Sequence, residues 1–279
     1  MTTKAEMEIQ LLEFIKTLQY DEKAKRTYKK YQCDVKQFID SLSHDDDITK
    51  EDVMNYKQKM IESDYKPVTI NSKIISVNKF LKYIELKDFT VRQIKIQRTS
   101  SLSEVMTPTD YKRLLRIAKR NGDEQLYLIM KILAQTGIRI SELRYFTVEN
   151  LDYYIKVSNK GKIRTIIVRQ DLYREIKKYC RTNKITSGTI FEGKKKGQQI
   201  VESTIWRRMK KISGQARVKK SLVHAHSFRH LFAVMYLEQN NNNILELADI
   251  LGHESLETTR IYTRSTDKLK RKKLESMKF

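Results

Sequence analysis

The chain has 279 residues, 39% hydrophobic and 32% charged, and its 56 Lys and Arg outnumber 34 Asp and Glu for a net charge of +22. That is room for two ordinary domains, with a basic excess that points to a polyanionic partner. Cys33 and Cys180 stand far apart, which excludes a disulfide scaffold, and Lys131 interrupts the apolar run Leu126–Ala134, which is too short to span a bilayer.

In chain order, the polar start MTTKAEMEIQ does not read as a secretory signal, and a soluble protein of a reducing, intracellular compartment is expected. The first hundred residues read as helices. Leu11, Phe14, Ile15 and Leu18 share one face, and Tyr28, Tyr31, Val35, Phe38 and Leu42 share another. His44-Asp45-Asp46-Asp47 breaks the pattern as a solvated turn. Thr49-Lys50-Glu51-Asp52 then forms a capping-box start, followed by Val53, Tyr56 and Met60. Pro67 opens a fourth helix carrying Ile70, Ile74, Val77, Leu81 and Ile84. Residues 1–97 thus make a bundle of four or five helices.

Residues 98–106 are polar, serine-rich and aperiodic, a linker. Thr107-Pro108-Thr109-Asp110 starts the second domain, 107–279. Leu126–Gln135 is a strongly apolar helix ending at Gly137. Tyr153–Val157 and Ile163–Val168 read as strands, with Ser158-Asn159-Lys160-Gly161-Lys162 as the turn. Helices return at about 171–181, 202–213, 227–239, 244–251 and 255–264, and Lys268–Phe279 is a basic tail or short helix. The fold class is mainly α with a small β-sheet: a helical bundle followed by a mixed α/β domain. Residues 1–97 carry 18 basic against 16 acidic side chains, which leaves 38 against 18 for 98–279, so the second domain holds most of the positive excess.

Four short boxes stand out: Thr136-Gly137-Ile138-Arg139-Ile140-Ser141-Glu142-Leu143, then His226-Ser227-Phe228-Arg229-His230, then Leu251-Gly252-His253, then Tyr262. Each alone has an ordinary reading. His226 and Arg229 share a helix face, Arg139 and Glu142 can form a surface ion pair, and Gly252 can end a helix. Together they offer two guanidinium groups, two imidazoles and a phenol. That set suits clamping a phosphodiester, because preorganised guanidinium forks match phosphate oxygens and stabilise the charge that grows in the transition state. Arg139 and Arg229 are the candidates for that clamp.

In order and spacing these boxes resemble the tyrosine recombinases, the phage-integrase and Xer-like family. The specific parts are the glycine before the upstream arginine, the LGH tripeptide and the step from His253 to Tyr262. The resemblance covers 107–264 well and the N-terminal bundle only in size and helicity. It implies a SAM-like core-binding domain at 1–97 and a catalytic domain of the DNA breaking-rejoining type at 107–279. It implies that Tyr262 is the nucleophile, with His226 as the base that its high ordinary pKa requires, His253 on the scissile phosphate and Glu142 orienting the set. A lysine on the β-turn is the family's general acid. The family pattern Gly-Lys-Gly-x-Lys is here Asn159-Lys160-Gly161-Lys162, so Lys160 is chosen by its place before glycine and Lys162 stays open. His224 and His230 lie beside the motif as structural candidates, with His230 the better functional one.

No metal site is expected, since the sequence has no HExxH, no cysteine pair and no acidic cluster suited to two metals, and no nucleotide cofactor, since a phosphotyrosyl bond conserves the energy of the broken phosphodiester. The implied partner is double-stranded DNA with specific recombination sites, bound by a homo- or hetero-tetramer that clamps the duplex, with possible accessory proteins and no membrane. Arg207, Arg208, Lys210, Lys211, Lys219 and Lys220 are candidates for the DNA backbone. The tail, through Leu269, Leu274 and Met277, is expected either to pack on a neighbouring protomer or to be a frayed basic end. The chain begins directly with its core-binding helices, without a separate arm-binding domain, which favours a Xer-like organisation over a mobile-element integrase. The rival readings are a non-catalytic DNA-binding regulator, a type IB topoisomerase and a structural DNA-bridging protein.

Overall fold

The computed structural model describes residues 2–96, 105–159 and 162–253, with the backbone alone at 159 and 162, and the single positions 255, 256, 259, 262, 274, 275 and 277. The chain divides into two compact units, Met1–Arg98 and Thr99–Phe279. Across the described residues the architecture is mainly helical with one two-stranded sheet. No described helix is long and apolar enough to cross a membrane.

The first unit contains α1 (Lys4–Tyr20), α2 (Lys25–Asp40), α3 (Lys50–Glu62) and α4 (Pro67–Tyr83). Its core gathers Phe14, Val35, Phe38, Ile74, Val77 and Phe80, all at helical spacing. The predicted capping box starts α3: the Asp52 N–H donates to the Thr49 hydroxyl at 3.3 Å and the Thr49 N–H donates to the Asp52 carboxylate at 2.8 Å. Beyond α4 the chain does not simply run out into a linker. Asn71 and Asn78 on α4 each offer an amide donor and acceptor to the backbone of Ile94 and Val91, at 2.8–3.1 Å, and so hold that extended segment as a neighbouring strand would.

The second unit contains α5 (Pro108–Arg120), α6 (Glu124–Thr136), β1 (Tyr154–Asn159), β2 (Lys162–Ile167), α7 (Gln170–Thr182), α8 (Glu202–Gln215), α9 (Ala225–Gln239) and α10 (Ile244–Leu251), with a short 3-10 helix at Ile140–Tyr145. Apolar α6 is its central pillar: Leu126, Leu128–Met130, Ile132 and Leu133 are all buried. Lys131 survives in that core because its ammonium reaches Glu175 on α7 at 2.6 Å. The strands pair antiparallel from Tyr154↔Ile167 to Asn159↔Lys162, further than the expected turn allowed. Ile155, Val157 and Ile166 face the core while Tyr154, Ile163 and Ile167 face outward. Lys160 and Gly161 lie outside the described residues. Helix α9 starts two residues earlier than expected because His224 caps it, its ring accepting the Ser227 N–H at 3.3 Å. Of the helix expected at 255–264, Leu256, Thr259 and Tyr262 are helical and the other positions that follow 256 lie outside the described residues. In the tail Leu274 and Met277 are exposed, and Leu269 lies outside the described residues.

Candidate active site

The site forms where three segments of the second unit meet the end of α10. Helix α6 stops at Gly137, whose φ of 62° is left-handed, and a Cβ there would stand 2.5 Å from the Phe232 ring and 2.8 Å from Leu251. Only glycine lets the chain turn this close to α9 and α10, and the turn delivers Arg139 and Glu142. Helix α9 presents His226, Arg229 and His230 from one face. Helix α10 ends at Gly252, again left-handed at φ 64°, and His253 follows.

Three successive carbonyls at the end of α10 each receive a different arginine. Arg164 on β2 donates to Ile250 O at 2.5 Å, Arg229 on α9 donates to Leu251 O at 2.8 Å, and Arg139 reaches Gly252 O at 3.4 Å. A helix C-terminus leaves its last carbonyls unpaired and carries partial negative charge, so it is a natural seat for cations. Glu142, only 2% exposed, supplies the full negative charge. Its carboxylate accepts the Arg139 backbone N–H at 2.7 Å and an Arg164 guanidinium N–H at 2.6 Å, and lies 3.4 Å from the Arg139 guanidinium. The expected surface ion pair is therefore a buried junction.

Arg229 is 3% exposed and also donates to Gly137 O at 2.6 Å and to His253 Nε2 at 2.8 Å. Burial, then Arg139, lower its pKa to about 10, and Tyr262 pulls the other way. It stays charged at neutral pH. Since arginine only donates, His253 Nε2 must be the lone-pair nitrogen, so its proton sits on Nδ1 and points to the Thr259 hydroxyl at 2.8 Å. Burial first, then Arg229, Arg139 and Arg164, push His253 down to about 4. His230 is also pushed down to about 4, by burial and then His226, and His226 is lowered by desolvation, Arg229 and His224 although the residue is exposed. All three imidazoles are neutral at pH 7.

The Nε2 atoms of His226 and His230 face each other at 3.0 Å, so one donates and the other accepts. Tyr262 sits beside this pair, 6% exposed, packed with Ala233, Leu237, Leu247 and Leu251. Its ring meets His230 edge-on at 4.8 Å and lies near-parallel to His253 at 6.0 Å. Arg139, Glu142, His226, Arg229, His253 and Tyr262 are thus brought to one place. Lys160 lies outside the described residues, and of Lys162 only the backbone, in β2, is described.

The basic candidates on α8 divide. Arg207 and Lys211 are exposed, as are Lys219 and Lys220. Lys210 donates to Lys220 O and lies over the Trp206 ring at 5.6 Å. Arg208 differs from these. Its guanidinium turns inward onto Asp123 and Gln125 at the start of α6, bonding the Asp123 carboxylate with Nε at 3.0 Å and also with Nη2, and Gln125 Oε1 at 2.5 Å. Those bonds take three of its five N–H groups and hold α8 to α6.

Two members of the site, Arg164 and Thr259, were not anticipated. Arg164 had a signal: between outward Ile163 and Thr165 and two residues from inward Ile166, a strand's alternation puts it on the core side, where a charge needs a partner. Thr259 had none.

Comparison with known proteins gives a consistent picture. A profile of the phage integrase family matches residues 104–268, and one of the phage integrase N-terminal SAM-like domain matches residues 11–90. Tyrosine recombinase XerA of Pyrococcus furiosus is 29% identical over 265 residues, covering 92% of this chain and 90% of the relative. A crystal structure of XerA recombinase matches at a TM-score of 0.56 and 25% identity, over 98% of this chain and 99% of that one. The Tn1549 transposon integrase, solved with transposon right end DNA, shares the fold at a TM-score of 0.70 and 17% identity, over 96% of this chain and 99% of that one.

Proposed function

The chain belongs to the phage integrase family of tyrosine recombinases, and from that premise we propose that it cuts and rejoins DNA at specific sites through a 3′-phosphotyrosyl bond on Tyr262. The observation that supports this reading best is the buried Tyr262 ring, packed edge-on to His230 and near-parallel to His253, beside the bond that joins His253 to Arg229.

In this reaction the Tyr262 oxygen attacks the scissile phosphorus and its proton passes to His226, which the neutral imidazole can accept. Arg139 and Arg229 hold the non-bridging oxygens as their charge grows. Arg229 can turn part of its fork from His253 and Leu251 O to the phosphate, which frees His253 to rotate toward it. Lys160 gives a proton to the departing 5′ oxygen. The 5′-hydroxyl of a partner strand then attacks the phosphotyrosyl bond and restores the phenol. Two such rounds pass through a Holliday junction, within a tetramer on two sites. Lambda integrase, which shares the fold, has been solved as a tetramer bound to a Holliday junction. We assign core-binding contacts to residues 1–97, the linker to 98–106 and catalysis to 107–279. Arg207, Lys210, Lys211, Lys219 and Lys220 are assigned to the DNA backbone.

The test is a nicked suicide substrate that traps the covalent complex. The wild-type chain gives a DNA-linked band on a denaturing gel, and Tyr262→Phe gives none while retaining DNA binding. The absence of a band with wild type leaves a regulator or a bridging protein. A band with relaxation of supercoiled DNA but no strand exchange identifies a topoisomerase.

A further inference from the structure

We propose that Arg164 is a positioning residue for strand cleavage: by joining the Glu142 carboxylate to the carbonyl end of α10, it holds Arg139 loosely and facing outward, ready for a phosphate. The inference rests on the recombinase reading above and adds a residue to its machinery.

The geometry carries it. Glu142 is buried, and a buried carboxylate draws any cation within reach. Arg164 takes it at 2.6 Å, whereas the Arg139 guanidinium stands at 3.4 Å from Glu142 and at 3.4 Å from Gly252 O. Those are long contacts for a guanidinium, and the Arg139 side chain keeps 38% exposure while Arg164 keeps 13%. Arg164 therefore saturates the carboxylate that would otherwise pull Arg139 inward. Its second hand, on Ile250 O at 2.5 Å, ties β2 to the helix end from which Leu251 O and His253 hold Arg229. One side chain thus fixes the Arg139 and Arg229 supports in a common frame. Gly252 belongs to the same device, because a Cβ there would stand 2.5 Å from Arg164 Cδ and displace the side chain.

The test uses the full chain with Arg164→Met and Arg164→Lys, the second keeping the charge but unable to reach both Glu142 and Ile250 O. Rates of covalent-complex formation are measured on a standard suicide substrate and on one with a methylphosphonate at the scissile position, where a methyl group replaces a charged oxygen. Misplacing one arm of the clamp should slow cleavage of the phosphate on the order of 10²-fold with DNA affinity unchanged. On the methylphosphonate, which asks less of the clamp, the defect should shrink several-fold. Adding Glu142→Gln to Arg164→Met should then cost little more, because both act through one junction. Equal defects on both substrates, wild-type rates, or failure of both variants to fold would each overturn the proposal, the last because Arg164 would then be purely architectural. A wild-type chain that forms no covalent complex overturns the functional reading itself, which sets that failure apart.

Discussion

Replacing Arg229 by lysine keeps the charge and removes the fork. In the folded chain this guanidinium reaches Gly137 O at 2.6 Å, Leu251 O at 2.8 Å and His253 Nε2 at 2.8 Å, three acceptors from separate segments. A single ammonium nitrogen on a flexible stem cannot face all three from one point. At least one buried acceptor is stranded, at about 1–3 kcal/mol. For a unit of this size each kcal/mol lowers the melting temperature by about 2–4 °C. The catalytic effect is separate and larger: loss of a preorganised donor to the developing charge slows cleavage about 10²–10³-fold. Single-turnover trapping on the suicide substrate, with thermal unfolding of the same preparation, reads both. A folded Arg229→Lys protein that cleaves at the wild-type rate would refute the claim that the fork, and not the charge, makes the clamp.

Other perturbations follow from the same structure. His230 and His253 have folded pKa values of about 4 and His226 is lowered too, so the stability these rings contribute is complete above pH 6.5 and, for His230 and His253, is lost as pH falls toward about 4, where the unfolded chain binds protons that the folded chain refuses. Hydrogen exchange in the second unit should therefore accelerate between pH 6.5 and 4. In the first unit His44, tied to Asp52 at 2.9 Å, is raised by that hydrogen bond, so its contribution is present below pH 6.5 and fades as pH rises through the raised value. DNA affinity should fall steeply with salt, as for any protein that displaces counterions from several phosphates. Arg207→Ala should flatten that slope, and Arg208→Ala should instead lower the melting temperature by loosening α8 from α6. Deleting 268–279 should weaken cooperative assembly on DNA if the tail packs on a neighbouring copy, and unchanged cooperativity by gel shift would remove that role.

What could be read from the residues was what local physics decides. The Thr49 capping box, the helix start with Pro108 in its first turn, the apolar pillar α6 and the glycine stop at 137 all follow from spacing and side-chain chemistry within a few residues. So did the six side chains that meet at the α10 end, because their boxes resemble a known order. The rest depended on contacts between distant segments. Glu142, three residues from Arg139, has the spacing of an exposed ion pair, and only the packing of β2 and α10 around it reveals burial. Arg208 sits among basic residues on α8 and reads as one more phosphate contact until Asp123, 85 positions earlier, is brought beneath it. The strap at Val91–Ile94 was hidden for the same reason: Asn71 and Asn78 are polar residues on a helix, and nothing local says which backbone they will hold.

The balance of charge at the cradle bears on how the site accelerates cleavage. Arg139, Arg164 and Arg229 are cations, Glu142 is an anion, and the imidazoles are neutral. The α10 carbonyl end adds about half a negative charge. Among the described residues this leaves about one and a half positive charges, and the Lys160 proposed as the acid would add one more, so the positive charge exceeds the single charge of a phosphodiester and comes closer to balance with the two reached as a pentacoordinate phosphorane forms. The cradle is thus under-filled by the ground state and better matched as the reaction proceeds, and that difference in binding, not tight binding of DNA itself, is what lowers the barrier. Helix α10 and Glu142 make this possible by moderating the repulsion among the three guanidiniums before DNA arrives, so that their charge is already in place for the attack proposed for Tyr262.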